Sequence, residues 1–141
     1  MPRLSDEEAF AFVAAAPRTG KLATVRADGS PHVAPVWVAV DGRSLLFNTG
    51  AGSVKGRTLR RDPRAALCFD DEQPPFAFVV FEGSVEIIED VDQVRRWAAV
   101  IGGRYMGADR AEEFGARNGV PGELLVRLVP DRIVAMDGVS D

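Results

Sequence analysis

Two Asp-Gly pairs, Asp28-Gly29 and Asp41-Gly42, stand between alternating, β-rich runs and commit this stretch of the chain to antiparallel hairpins. Glycine takes positive φ without steric cost and aspartate tolerates it, so the pair fits the tight turn that joins adjacent strands. The runs on either side, KLATVRA (21–27), HVAPVWVAV (32–40) and SLLFNTG (44–50), therefore read as three strands of a meander.

Helical signals flank them. Ser5 with Glu8 three positions on makes a capping box, Phe10 and Val13 recur at helical spacing, and Pro17 and Gly20 stop the run. After Gly50-Ala51-Gly52, Ser53 caps a short helix reaching Arg61, which ends at Asp62-Pro63 because the residue before proline is driven from the α region. RAALCFD (64–70), a turn at Gln73-Pro74-Pro75 and FAFVVFEGSVEII (76–88) extend the sheet, with Gly83 marking a bulge or bend. Residues 90–107 read as a second long helix with Val94, Trp97, Ala98 and Ile101 on its core face. Another helical stretch falls within 103–122, and 123–138 supplies one or two strands broken at Pro130-Asp131. Six or seven strands with peripheral helices point to a small β-barrel of the α+β kind. The expected plan is one domain over 1–141: an N-terminal helix (1–19), barrel strands (20–89) interrupted by a basic helix (53–61), a helical segment (90–120) and final strands (123–138).

A chain of 141 residues, 46% hydrophobic and 27% charged, suits a single globular core. The apolar run 33–40 is too short to span a bilayer, and no basic, apolar leader opens the chain, so the expected compartment is the cytoplasm, with no membrane partner. A net charge of −4 argues against a nucleic-acid surface. Cys68 is the lone cysteine and His32 the lone histidine, which excludes an internal disulfide, a histidine metal cluster and a Ser-His-Asp triad. No metal site is expected.

Positive charge is concentrated in SVKGRTLRRDPRAAL (53–67), where Lys55, Arg57, Arg60, Arg61 and Arg64 fall within ten positions. A glycine-bearing turn followed by Ser53 at a helix start gathers free N–H groups where an anion could sit, and Lys55 with Arg57 in the first turn suits phosphate. The residues alone leave two readings open, a phosphate site or a solvated basic helix; neither a Walker loop nor a dinucleotide fingerprint is present. In APVWVAV (34–40) nearly every residue is apolar, so both faces need cover, while Pro35 cannot donate to a ladder. Either a flat ring meets an interrupted ladder there, or a dimer partner covers an edge strand.

LATVRADGSPHVAPVW (22–37), LLFNT (45–49) and KGRTLRRDPR (55–64), in this order and spacing, resemble the split-barrel flavin and deazaflavin oxidoreductases of the pyridoxamine 5′-phosphate oxidase-like superfamily. The resemblance is narrower to the actinobacterial branch that uses the deazaflavin coenzyme F-420. It implies a six-stranded antiparallel split barrel forming a homodimer, with cofactor sites at the subunit interface. Pro35, Val36 and Trp37 would line the ring, Asn48 and Thr49 flank it, and Ser53, Lys55 and Arg57 hold the phosphate and acidic tail. The family's second subunit commonly adds a Tyr-Arg-Tyr segment; here it reads Phe76-Ala77-Phe78, with Phe76 as the partner's contribution, short of a cation and two hydroxyls. Arg60, Arg61 and Arg64 favour coenzyme F-420, whose anionic tail is longer, with FMN as the alternative. The implied activity is hydride transfer to a conjugated small molecule; a non-catalytic protein that stores, carries or senses a deazaflavin, flavin or haem is the reading from another class. No residue is assigned as catalytic, and His32 and Tyr105 are the side chains offered as proton sources beside solvent.

Overall fold

A computed structural model describes residues 2–141. Helix α1 (Asp6–Ala15) starts at the Ser5–Glu8 capping box, with both reciprocal bonds formed, and buries Ala9, Phe10 and Val13. Strands β1 (Gly20–Val25), β2 (Pro31–Val36), β3 (Ala39–Asp41) and β4 (Ser44–Gly50) follow. Helix α2 (Val54–Arg61) takes Ser53 as its N-cap and Asp62 as its C-cap. Strands β5 (Arg64–Asp71) and β6 (Ala77–Ile88) come next, then α3 (Val91–Met106), a short 3-10 turn, α4 (Ala111–Asn118) and the long β7 (Glu123–Met136).

The run 32–40 is not one strand. It breaks at Trp37-Val38 into β2 and β3, and this raises the strand number from the expected six to seven, in the order β2-β1-β5-β6-β7-β4-β3 with every pairing antiparallel. β2 and β3 are thus the two opposite edges of the sheet. Laid flat, seven strands would hold those edges about 29 Å apart at the usual strand spacing. Three Cα steps from Val36 to Ala39 reach at most about 11 Å. The sheet must therefore curl enough to bring the end of β2 close to the start of β3, and the two-residue break is the link between them.

The concave side of the curl is the core. Leu22, Leu67, Phe69, Val79, Phe81, Phe47 and Leu128 are fully enclosed there, with Phe10 of α1 closing one end at 5.0 Å from the Phe81 ring. A second cluster, Leu46, Leu125 and Val94, sits on the opposite side of β4 and β7, where α3 covers it. This double cover explains why SLLF carries no alternation: Leu45 and Phe47 face the main core and Leu46 faces the helix.

Two sequence readings of irregularity are one feature in space. The β6–β7 register shifts at Glu82/Gly83, where Glu82 pairs with Arg132 and Gly83 with Pro130, so Asp131 is the extra residue. Gly83 is required by close approach, because a Cβ there would stand 2.2 Å from the Val129 carbonyl oxygen. β7 continues through the shift as one strand. No helix among the described residues is long and apolar enough to cross a membrane.

Candidate functional site

Val36, Val38 and Ala39 are buried, but Pro35 is exposed and Trp37 retains 37% of its surface. Both open onto a cleft of about 390 Å³ lined by Thr19, Pro35, Val36, Trp37, Asn48, Lys55, Ile101 and Asn118. Its volume falls within the range of small-molecule sites. The floor is apolar, from Pro35, Val36, Trp37 and Ile101; the one cation is Lys55, from the first turn of α2. As an edge strand, β2 also turns alternate backbone groups away from β1.

The break that forms this floor is held by Tyr105 on α3. Its ring stacks on the Trp37 indole with centroids 5.0 Å apart and planes 4° from parallel, while Phe114 of α4 meets the indole edge-on at 6.0 Å. The Tyr105 hydroxyl donates to the Arg18 carbonyl at 2.7 Å and accepts from the Val38 N–H at 3.1 Å. It therefore ties down the neighbours of two cleft residues, Thr19 and Trp37, and its proton is spent on backbone. His32 pairs across the sheet with Thr24 and does not line the cleft. Neither side chain offered as a proton source lines this cleft.

Removing that hydroxyl is a direct check. Tyr105→Phe leaves the Val38 N–H, in a fully buried residue, without its acceptor, which costs about 1–3 kcal/mol. The expected result is a thermal midpoint several degrees below the parent by circular dichroism, with altered Trp37 fluorescence as the stack loosens.

The five cations separate into two groups. Arg60 pairs with Glu89, and Arg61 donates to the Val25 carbonyl on β1. Arg64 forks onto Asp62 at 3.0 and 2.7 Å, and this hydrogen bonding holds the Asp62 carboxyl down at about 2. Lys55 and Arg57 make no ion pair among the described residues. The charge reserve available to an anion is these two, at the start of α2.

Thr49 and Ser53 build the seat of that helix. Ser53 Oγ donates to the Gly50 carbonyl at 2.8 Å and accepts from the Gly56 N–H at 3.0 Å. Having one proton, Ser53 must accept in its 2.9 Å contact with Thr49 Oγ1, so Thr49 is the donor. The pair joins the end of β4 to α2 and does not line the cleft. Gly56 lets the helix approach: a Cβ there would lie 2.2 Å from the Gly50 carbonyl oxygen.

Of the residues anticipated from sequence, Pro35, Val36, Trp37, Asn48 and Lys55 converge on the cleft. Arg57 is exposed on α2 two positions after Lys55. Phe76 stands apart, in the β5–β6 turn at φ 63° and 39% exposed, with its carbonyl accepting from the Val139 N–H. Thr19, Ile101 and Asn118 were not anticipated. Ile101 carried only a core signal on α3, and nothing local marks Thr19 or Asn118.

A family model described as pyridoxamine 5′-phosphate oxidase matches residues 5–137. The pyridoxine/pyridoxamine 5′-phosphate oxidase of Myxococcus xanthus is 36% identical over 103 residues, 72% of this chain and 50% of that protein. This chain spans about half the length of the first curated relatives it matches. Among solved structures, the conserved hypothetical protein Rv2991 of Mycobacterium tuberculosis is 32% identical with a TM-score of 0.85, over 97% of this chain and 87% of that one. An F-420 reductase is 28% identical with a TM-score of 0.67, over 84% of this chain and 90% of that one.

Proposed function

Because the chain belongs to the pyridoxamine 5′-phosphate oxidase family, whose fold serves flavin and deazaflavin oxidoreductases, we propose that it is an oxidoreductase dependent on coenzyme F-420 that reduces a conjugated small molecule. The observation that carries this reading is the joining, in one cleft, of a flat apolar floor at a strand break and an uncommitted lysine at a helix start. Likeness to the F-420 reductase favours the deazaflavin.

The residues present suit such a group. A tricyclic ring needs an apolar slot with backbone edge groups beside it, and Pro35, Val36 and Trp37 at the end of β2 supply both. Its anionic end needs paired cations beside free N–H groups, which Lys55, Arg57 and the first turn of α2 supply. When bound, the cofactor supplies the hydride. The chain's own work is positional: Tyr105 and Phe114 hold Trp37 in place, Lys55 and Arg57 anchor the anion, and the α3–α4 side restricts water through Ile101. No carboxylate or imidazole of the described residues lines the cleft, and solvent is the proton source this reading assigns.

The reading includes a homodimer. Val33, Ala23 and Ala66 lie side by side on β2, β1 and β5, and Val33 keeps 65% of its surface, an apolar row on the outer sheet face suited to a second copy. Phe76 would then serve the partner's cleft rather than its own.

FMN is the second reading, and one observation favours it. With Arg60, Arg61 and Arg64 engaged locally, the two remaining cations match a single phosphate better than a long anionic tail. Titration of purified apoprotein with coenzyme F-420 and with FMN separates the readings, and tighter FMN binding selects the second. Reduced cofactor is then supplied with quinones, enones and tetrapyrroles. Oxidation above background is expected; binding without it identifies a carrier or store.

A further inference from the structure

We propose that Asn118, at the end of α4, holds the imide edge of the ring in the cleft and so orients the cofactor. The inference rests on reading the cleft as a flavin or deazaflavin slot.

The cleft groups divide by chemistry. Pro35, Val36, Trp37 and Ile101 are apolar, Lys55 is the one cation, and Thr19, Asn48 and Asn118 are neutral and polar. An anion drawn to Lys55 leaves any other polar edge of the ligand to the neutral three. A carboxamide sets an N–H donor beside a carbonyl acceptor, the complement of a cyclic imide, whose N–H lies between two carbonyls. Asn48 is partly spent, since its Nδ2 donates to the Leu124 carbonyl at 3.5 Å, and Thr19 has a single O–H. The half-buried Asn118 carboxamide takes part in no side-chain hydrogen bond among the described residues.

Its mounting is rigid. Asn118 is the last residue of α4, and the next, Gly119, lies so near α3 that a Cβ there would stand 2.4 Å from the Arg95 Cβ. A Cβ at Gly115 would reach 3.0 Å from the Ala99 Cβ, and one at Gly102 would fall 2.3 Å from the Phe114 Cβ. Glycine on both helices thus locks the hairpin, and Phe114 and Tyr105 tie the hairpin to Trp37. A hydrogen-bonding group on such a support can hold a ring at one angle, as a loop side chain could not.

The test uses coenzyme F-420 and FMN, each also as its N3-methyl derivative, in which the imide proton is replaced. Affinities are read by cofactor fluorescence for the parent, Asn118→Leu and Lys55→Ala. The parent is expected to bind the methylated ligand about tenfold more weakly, the worth of one to two neutral hydrogen bonds. Asn118→Leu, similar in volume, is expected to bind both forms alike at that weaker level, while Lys55→Ala keeps the methyl discrimination. The same discrimination in Asn118→Leu as in the parent, or none in the parent, overturns the proposal and leaves the slot reading standing. A parent that binds neither cofactor overturns both. An unchanged far-ultraviolet circular dichroism spectrum shows that the variant is folded, and Asn118→Ser serves if it is not.

Discussion

Replacing Lys55 and Arg57 together with alanine is expected to weaken cofactor binding by about a hundredfold or more while leaving the thermal midpoint close to that of the parent. Each is a potential charge-assisted partner of an anion, worth about 1.5–3 kcal/mol when paired, and every 1.4 kcal/mol is a factor of ten in affinity. Neither side chain takes part in an ion pair of the described residues, and Arg57 is exposed, so the fold loses little. Isothermal titration of the double variant with FMN and coenzyme F-420 reads the effect. Alanine at Arg60 and Arg61 is the informative contrast: their guanidinium groups are directed at Glu89 and the Val25 carbonyl, so affinity for FMN should hardly move. A double variant at Lys55 and Arg57 that binds as the parent does would show that the anion site lies elsewhere.

Gly56→Ala is expected to lower both stability and cofactor affinity, against the ordinary trend for such a change within a helix. Glycine to alanine normally gains about 0.5–1 kcal/mol in a helix interior. At Gly56 the added Cβ would stand 2.2 Å from the Gly50 carbonyl oxygen and 3.1 Å from that of Ala51, backbone atoms that no rotamer change relieves. Overpacking of this kind costs about 1–3 kcal/mol, so the net sign is destabilising. To relieve it α2 must move off the turn, pulling Ser53 from Thr49 and Gly50 and carrying Lys55 out of register with the cleft. A midpoint lowered by several degrees and roughly tenfold weaker FMN binding are expected from thermal melts and titration. Gly52→Ala, where an added Cβ meets nothing within 4 Å, should be nearly silent. A raised midpoint for Gly56→Ala would contradict the close approach of helix and strand end.

These three residues lie on one helix whose limits neighbouring residues encode and whose contacts they do not. The basic helix was legible because its signals are neighbours in sequence: Ser53 caps it, Asp62-Pro63 ends it, and the observed span follows both. The same holds for the Ser5–Glu8 capping box, for SLLFNTG, which forms β4 without adjustment, and for the Asp-Gly turns. The family was legible for a related reason, since its motifs are runs of adjacent residues, and five of the anticipated ring and anion residues do meet in the cleft.

Lys55 and Arg57 could be singled out from their place near the start of α2, but the engagement of Arg60 by Glu89 and of Arg61 by the Val25 carbonyl could not, because those partners are distant in sequence. Nor did the run 32–40 announce its break, because an unbroken strand and two edge strands share the same apolar pattern. The break depends on Tyr105, which is 67 positions beyond Val38 and joins it to Arg18 through one hydroxyl. Thr19 and Asn118 enter the cleft for the same reason, one beside Arg18 and the other on a helix locked to α3 by glycine. The sequence by itself determined the caps, the family, the cation-rich helix and most of the strands, since each is encoded by residues within a turn or two of one another. Tertiary structure alone decided where the β2–β3 run breaks, which arginines are engaged locally and that Thr19 and Asn118 join the cleft, because those outcomes depend on contacts between segments that only the curled sheet brings together.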